Sequence, residues 1–369
     1  MLDLKYILVI LLVTKGSSTF FQDPIKRSTC IISGGSCEPL INCMMSMGIA
    51  ASTCGGFLSV CCVRPSTVNR WLNDYRENDI INNNYHEVKS KSTVINDPKC
   101  GNRPTANRRV IDGSDAGFGT FPWQALVRIG KAKCGGVLVN RQHVITAGHC
   151  VKNKDKETIN VTLGEYHIGD LLADDEYLPS VTFKVYSVAV HPQFQFSPAA
   201  DRYDVAVLRL SSPVHYAPHI APICLPRAGL DPEPGTVAYA AGWGAIITDE
   251  KLGPLGFLVP KEQKRPKVLQ VVDVPLIAND QCESWHSRKG ISVHLYPEML
   301  CAGYRFGGKD SCKGDSGGPL MVRQKDGRWV LVGLVSAGFS CGQPGQPGIY
   351  HRISQTAAWI SYIVNGGLS

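Results

Sequence analysis

Nowhere in the 369 residues does a Cys-x-x-Cys pair occur, and the cysteine and histidine spacings fit no zinc ribbon or finger. The 14 cysteines are therefore not a metal framework of those kinds. Long apolar runs are missing too. The run at residues 6–13 is about half the roughly 20 residues that a bilayer span needs, and no other stretch is long enough. No membrane partner is expected. Lys and Arg number 38 against 31 Asp and Glu, a net charge of +7, yet no long basic run or nucleic-acid motif concentrates that surplus. The expectation is a mildly basic soluble protein with no nucleic-acid partner. No internal repeat or low-complexity tract appears, which excludes a repeat array.

What is present points to secretion. Lys5 precedes the apolar run and Gly16, Ser17 and Ser18 follow it, the pattern of a signal peptide over residues 1–18, cut near residues 16–20. The cysteines fall into two even blocks, six between residues 30 and 62 and eight from Cys100 onward. Even blocks indicate disulfides, hence an oxidising, extracellular location. With 44% hydrophobic and 19% charged residues, the length suits a main domain with a large core plus a smaller module.

The smaller module is residues 30–62, which hold Cys30, Cys37, Cys43, Cys54, Cys61 and Cys62 in too short a span to be stable by burial alone. Six cysteines allow fifteen pairings, and spacing does not choose among them. Residues 63–109 read as a linker and activation segment, because Asn69, Asn73, Asn78, Asn82, Asn83, Asn84 and Asn96 crowd a stretch poor in large apolar side chains. From Val110 onward, short apolar or alternating runs at 136–139, 181–190, 205–210, 237–241, 268–274 and 329–335 are separated by Gly, Pro and Asn signals. That pattern predicts an all-β barrel or sandwich. One helical spacing stands out, with Ala357, Ile360, Tyr362 and Ile363 lying between Ser354 and Gly366.

Three local patterns carry chemistry. Thr146-Ala147-Gly148-His149-Cys150 follows an apolar strand, Asp204 heads the run Val205-Ala206-Val207-Leu208, and Gly314-Asp315-Ser316-Gly317-Gly318-Pro319 surrounds a serine with glycines. A serine hydroxyl is a weak nucleophile at neutral pH and needs an adjacent base. Histidine supplies it, and a buried carboxylate fixes the imidazole tautomer and steadies the imidazolium. The glycines let the Gly314 and Ser316 N–H groups converge on a developing oxyanion, a contribution of about 3–4 kcal/mol per donor. Singly, the histidine reads equally as an ordinary surface or core residue and the aspartate as a turn residue; the glycine-flanked serine is the specific signal.

Together, in the order His, Asp, Ser, these motifs make residues 110–365 resemble the chymotrypsin/trypsin family of serine peptidases. The resemblance implies two six-stranded antiparallel β-barrels with a C-terminal helix, and a triad of His149, Asp204 and Ser316 in the cleft between the barrels. By position, Asp310 would lie at the base of the primary pocket and pair with a substrate Arg or Lys. Ser336, Gly338 and Gly348 would line that pocket. Two departures appear: Gly148 replaces the usual alanine before the histidine, and Ala337 replaces the usual tryptophan between Ser336 and Gly338, which leaves the extended subsites open. The long loop after Trp243 carries Lys261, Lys264, Arg265 and Lys267, as a substrate-selecting or self-cleaved segment.

Further implications concern assembly and partners. Arg108-Arg109-Val110-Ile111-Asp112-Gly113 resembles the family's activation site, otherwise a generic dibasic site. Cleavage after Arg109 would free the Val110 amine to pair with Asp315. The resemblance also implies the disulfides Cys134–Cys150, Cys282–Cys301, Cys312–Cys341 and Cys100–Cys224. The first block, with its adjacent Cys61-Cys62, resembles the clip domain of arthropod clip-domain serine proteases, against a different small knot. The clip pairing would be Cys30–Cys61, Cys37–Cys54 and Cys43–Cys62. Expected partners are a protein substrate such as another zymogen, an upstream trypsin-like activator and a serpin-type inhibitor. The rival, a non-catalytic clip homologue, usually lacks the serine that stands here as Ser316. Asn160-Val161-Thr162 is a glycosylation sequon. No cofactor is required, although Glu165 and Glu176 bound an acidic loop where relatives bind structural Ca2+, a solvated loop being the alternative.

Overall fold

The computed structural model describes residues 36–39, 42–43, 49–53, 59–63, 94–103, 114–169, 176–197, 200–244, 246–247, 263–264, 266–308, 315–337 and 342–367. The chain divides into two compact units, Met1–Asn83 and Asn84–Ser369. In the first, β1 (Ser36–Pro39), β2 (Ile49–Thr53) and β3 (Ser59–Val63) form an antiparallel sheet with β3 central. Cys37 faces Cys61 across β1 and β3, and Cys43 is joined to Cys62. Both joined cysteines are buried, as a sheet this small requires. The signal peptide and the cysteines Cys30 and Cys54 lie outside the described residues.

The second unit opens with a two-residue strand, β4 (Ser114–Asp115). Next come β5 (Gln124–Ile129), β6 (Ala132–Asn140), β7 (His143–Thr146), β8 (Ile159–Leu163), β9 (Val181–Val190) and β10 (Ala206–Leu210). They close into a barrel in the order β10-β7-β6-β5-β8-β9. Between β7 and β8 lies the single turn α1 (Gly148–Val151). The rest contributes β11 (Val237–Gly242), the short hairpin β12 (Ile246–Ile247) and β13 (Gln263–Lys264), then β14 (Gln270–Ile277), β15 (Met299–Ala302), β16 (Pro319–Arg323), β17 (Trp329–Ala337) and β18 (Gly348–Arg352). The order β11-β16-β17-β18-β15-β14 closes through a β11–β14 pairing into a second barrel, with β4 added along β14. The fold is all-β, two six-stranded antiparallel barrels. Among the described residues the longer helices are α2 (Asn279–Ser287) and the C-terminal α3 (Ile353–Tyr362).

The strands are made by burial more than by alternation. In β17 the first seven residues are all buried, and β7 is buried throughout. α3 sets Ile353, Ala357, Trp359 and Ile360 into the same apolar cluster as Trp123, Leu138 and Ile145 of the first barrel.

The segment 94–103 lies on this body through polar contacts besides its disulfide. Ile95 N–H donates to Ser361 Oγ at 2.9 Å, while Asn96 exchanges hydrogen bonds with the Leu225 backbone at 3.0 and 2.7 Å. Tyr216 donates to Asp97 Oδ2 at 2.6 Å, and Cys100 is joined to Cys224. Gly101 donates to Pro222 O at 2.8 Å and accepts from Trp329 N–H at 2.9 Å. The Arg103 guanidinium sits 5.4 and 5.1 Å from the rings of Phe121 and Trp329, a cation–π arrangement.

Candidate active site

The site forms where the two barrels meet backbone to backbone. On β6, Gly135 N–H donates to Ser316 O at 2.7 Å, and a Cβ at Gly135 would stand 2.7 Å from the Gly318 Cα. Only glycine permits that approach. Thr146, at the end of β7, ties the same carbonyl region down by donating to Gly135 O at 2.7 Å. The chain then turns into α1, which carries His149, and the Cys134–Cys150 disulfide anchors the turn to β6. Gly148, the departure noted in the sequence, has a local reason: a Cβ there would meet the Phe194 ring at 2.9 Å and Asp204 Oδ1 at 3.3 Å.

Asp204 precedes β10 and has no exposed surface. Three donors converge on its carboxylate. His149 backbone N–H reaches Oδ1 at 2.8 Å, the His149 ring Nδ1 lies 2.7 Å from Oδ2, and Ser336 Oγ donates to Oδ2 at 2.5 Å. Burial pushes the Asp204 pKa up, but the hydrogen bond and charge of His149, with Ser336 and the His149 amide, outweigh it and hold the group below the ordinary carboxylate value. For His149, burial pulls downward, and the hydrogen bond and charge of Asp204, with Asp201 adding, overcome it. The imidazole titrates above the ordinary 6.5. A neutral Nδ1–H tautomer facing Asp204 leaves Nε2 as the basic atom.

Ser316 enters from the loop before β16, its carbonyl held by Gly135 and 3.8 Å from Cys150 Sγ. His149 Nε2 lies 3.6 Å from the same sulfur. Among the described residues no hydrogen bond joins Ser316 Oγ to Nε2, a bond that apo sites commonly form only with substrate present. Next to it, Asp315 Oδ1 accepts from Gly244 N–H at 2.7 Å, and the Asp315 carbonyl accepts from Gly318 N–H at 2.6 Å. Ser336, expected along the pocket, thus gives its hydroxyl to Asp204. Gly348 opens β18, buried, and pairs with Ala302. Asp310, Gly314, Gly338, Arg109, Val110, Cys312 and Cys341 lie outside the described residues. Cys282 is joined to Cys301, linking α2 to β15.

One residue that the sequence reading passed over belongs here. Asp201 Oδ2 is 4.0 Å from His149 Nδ1, and its Oδ1 accepts from Ser197 N–H at 2.8 Å. A second carboxylate three residues before Asp204 was the available signal, but it reads as an ordinary loop acid.

The acidic-loop residues are engaged otherwise. Glu176 Oε1 accepts from the Tyr166 and His167 N–H groups at 2.8 and 3.2 Å, and Glu165 lies 3.8 Å from Arg128. Neither falls in a described cluster of three potential metal ligands, and residues 170–175 of the loop between them lie outside the described residues. Asn160 lies half-buried on β8, and the Thr162 hydroxyl of its sequon bonds Thr182 Oγ1 at 2.9 Å. Among the described residues no helix is long and apolar enough to cross a membrane.

Comparison with known proteins adds to this geometry. Residues 110–360 match the trypsin family. The chain is similar to the serine proteinase stubble of Drosophila melanogaster, 38% identical over 272 residues, covering 71% of this chain and 32% of that protein. It is also similar to the serine protease filzig of Drosophila melanogaster, 40% identical over 72% of this chain and 15% of that one. The proclotting enzyme of Tachypleus tridentatus is 34% identical over 71% of this chain and 68% of its own length. The chain thus spans a third or less of the two Drosophila relatives.

Proposed function

The chain belongs to the trypsin family of serine peptidases, and from that premise we propose that it works as a secreted serine endopeptidase, made as a zymogen and cleaving after Arg or Lys. The observation that carries the reading is the buried Asp204 carboxylate held against His149 Nδ1. A base so oriented leaves Nε2 for a nucleophile, and in this reading Ser316, whose carbonyl Gly135 holds, supplies the hydroxyl. In the reaction, His149 Nε2 takes the Ser316 Oγ proton as Oγ attacks the scissile carbonyl, and Asp204 steadies the imidazolium. The proton then passes to the leaving amine, and water, activated by the same nitrogen, releases the acyl group. Amides of Gly314 and Ser316 would receive the oxyanion. No cofactor enters this sequence of steps.

Asp310 supplies the preference for basic residues, with Ser336, Gly338 and Gly348 as neighbours. Activation follows cleavage after Arg109, when the Val110 amine would pair with Asp315; the Gly244 N–H on that carboxylate supports its role as a receiver inside the second barrel. The name of the proclotting enzyme supports action on another zymogen in an extracellular cascade, with a trypsin-like activator upstream and a serpin-type inhibitor. The test is to cut the purified chain after Arg109 and assay Arg, Phe and Ala reporter peptides. Turnover of the Arg reporter alone, lost on Asp310→Ser, is the expected outcome. Preference for Phe or Ala, or full activity in uncut Arg109→Gln, would overturn the scheme.

A further inference from the structure

The imidazole of His149 faces two carboxylates, not one. The nearest ligand atoms of His149, Asp201 and Asp204 all fall within 4.8 Å of one another. Asp204 takes the Nδ1 hydrogen at 2.7 Å, and Asp201 Oδ2 stands at 4.0 Å from the same nitrogen. Asp201 is not a solvated acid that swings past: its side chain is only 18% exposed, and Ser197 N–H fixes its other oxygen. Two anions this close repel unless a cation lies between them, and the protonated ring is such a cation.

We propose that Asp201 is a positioning residue for the His149 base, a second carboxylate that favours the imidazolium and holds the ring's Nδ1 edge toward Asp204. The proposal rests on the reading of His149 as general base. The other charged and titratable groups around this cluster do not duplicate the effect. His351, behind Asp204, is fully buried, bonds Thr356 Oγ1 and is pushed down to about 4, so it is neutral wherever His149 titrates. Burial likewise keeps His191 neutral. Arg202, next in sequence to Asp201, is paired with Glu298. The Cys134–Cys150 disulfide beneath the ring does not titrate. Burial and the neighbouring Asp204 raise the pKa of Asp201, while the Ser197 amide and the His149 ring counter them.

The experiment follows the His149 ring by NMR titration in full-length Ser316→Ala protein, with and without Asp201→Asn, and measures kcat/KM against pH in activated protein carrying Ser316. Asparagine keeps an oxygen for Ser197 N–H and removes only the charge. The expected result is a downward shift of about half a pH unit in the His149 midpoint, near a threefold change in its proton affinity, as a partly screened pair gives. Asp201→Glu restores the native midpoint. The acid limb of kcat/KM follows, so that at about pH 5.5 the Asn variant turns over faster than native, while its plateau falls because a weaker base steadies the transition state less. A merely structural lesion lowers both ends. An unchanged midpoint in Asp201→Asn, or a lowered one that Glu does not restore, overturns the proposal. Asp201→Ser gives the same reading should asparagine disturb the loop. If the ring shifts as expected but the activated protein cleaves no reporter, the peptidase reading fails and the charge pairing stands.

Discussion

A carboxylate with no solvent contact keeps its charge only where donors converge, and Asp204 receives His149 N–H, His149 Nδ1–H and Ser336 Oγ–H. Removing one donor should cost about 1.5–3 kcal/mol, the range for hydrogen bonds to charged groups. We therefore expect Ser336→Ala to fold, to unfold at a lower temperature, and to lose about tenfold in kcat with KM little altered, since the lost bond acts through Asp204. Steady-state kinetics beside a thermal melt check this; a tenfold rise in KM at unchanged kcat would return Ser336 to a pocket-lining role. At this scale the sequence was legible where chemistry is local. His149, Asp204 and Ser316 each stand in a short motif. The Ser336–Asp204 bond spans 132 positions and Asp201 earns its place only through the fold, so neither contact has a local signature.

The strands show why some elements were plain in the sequence and others silent. Runs at 181–190 and 237–241 reappear as β9 and β11 with nearly the same limits. β15, four residues long and buried throughout, offers neither alternation nor length to read, whereas β7, equally short, was visible as the apolar residues leading into the histidine motif. Helix α2 was not anticipated because only Cys282 and His286 of its nine residues are buried, too few for an apolar stripe. The barrel count came from family resemblance rather than from strand patterning. Between elements, the seam where β6 meets the loop before β16 has no slack. Gly135→Ala would force a methyl into the Gly318 backbone, and overpacking of this kind costs about 1–3 kcal/mol. The expected outcome is a destabilised protein whose kcat falls more than the lost stability explains, because Ser316 hangs from that glycine's N–H. Denaturant unfolding and kinetics on the same preparation decide it; a variant with native kcat would show that the seam does not set the serine.

For the molecule as a whole, the Cys100–Cys224 bond is one tie among several between segment 94–103 and the barrels. We predict that Cys100→Ser with Cys224→Ser, cut after Arg109, keeps its two pieces together in native size-exclusion chromatography and releases them only in denaturant. Separation of the light chain under native conditions would assign the attachment to the disulfide alone. Backbone groups engaged in this way, from Ile95 N–H to Gly101 N–H, have a further consequence for digestion. A protease needs several residues of backbone released into an extended form before it can cut. Trimming that begins in the asparagine-rich stretch before residue 94 should therefore stall there. The piece that stays linked to the barrels through Cys100 would start near Val94, not at Cys100 itself, and mass spectrometry of a limit digest would place the boundary to the residue.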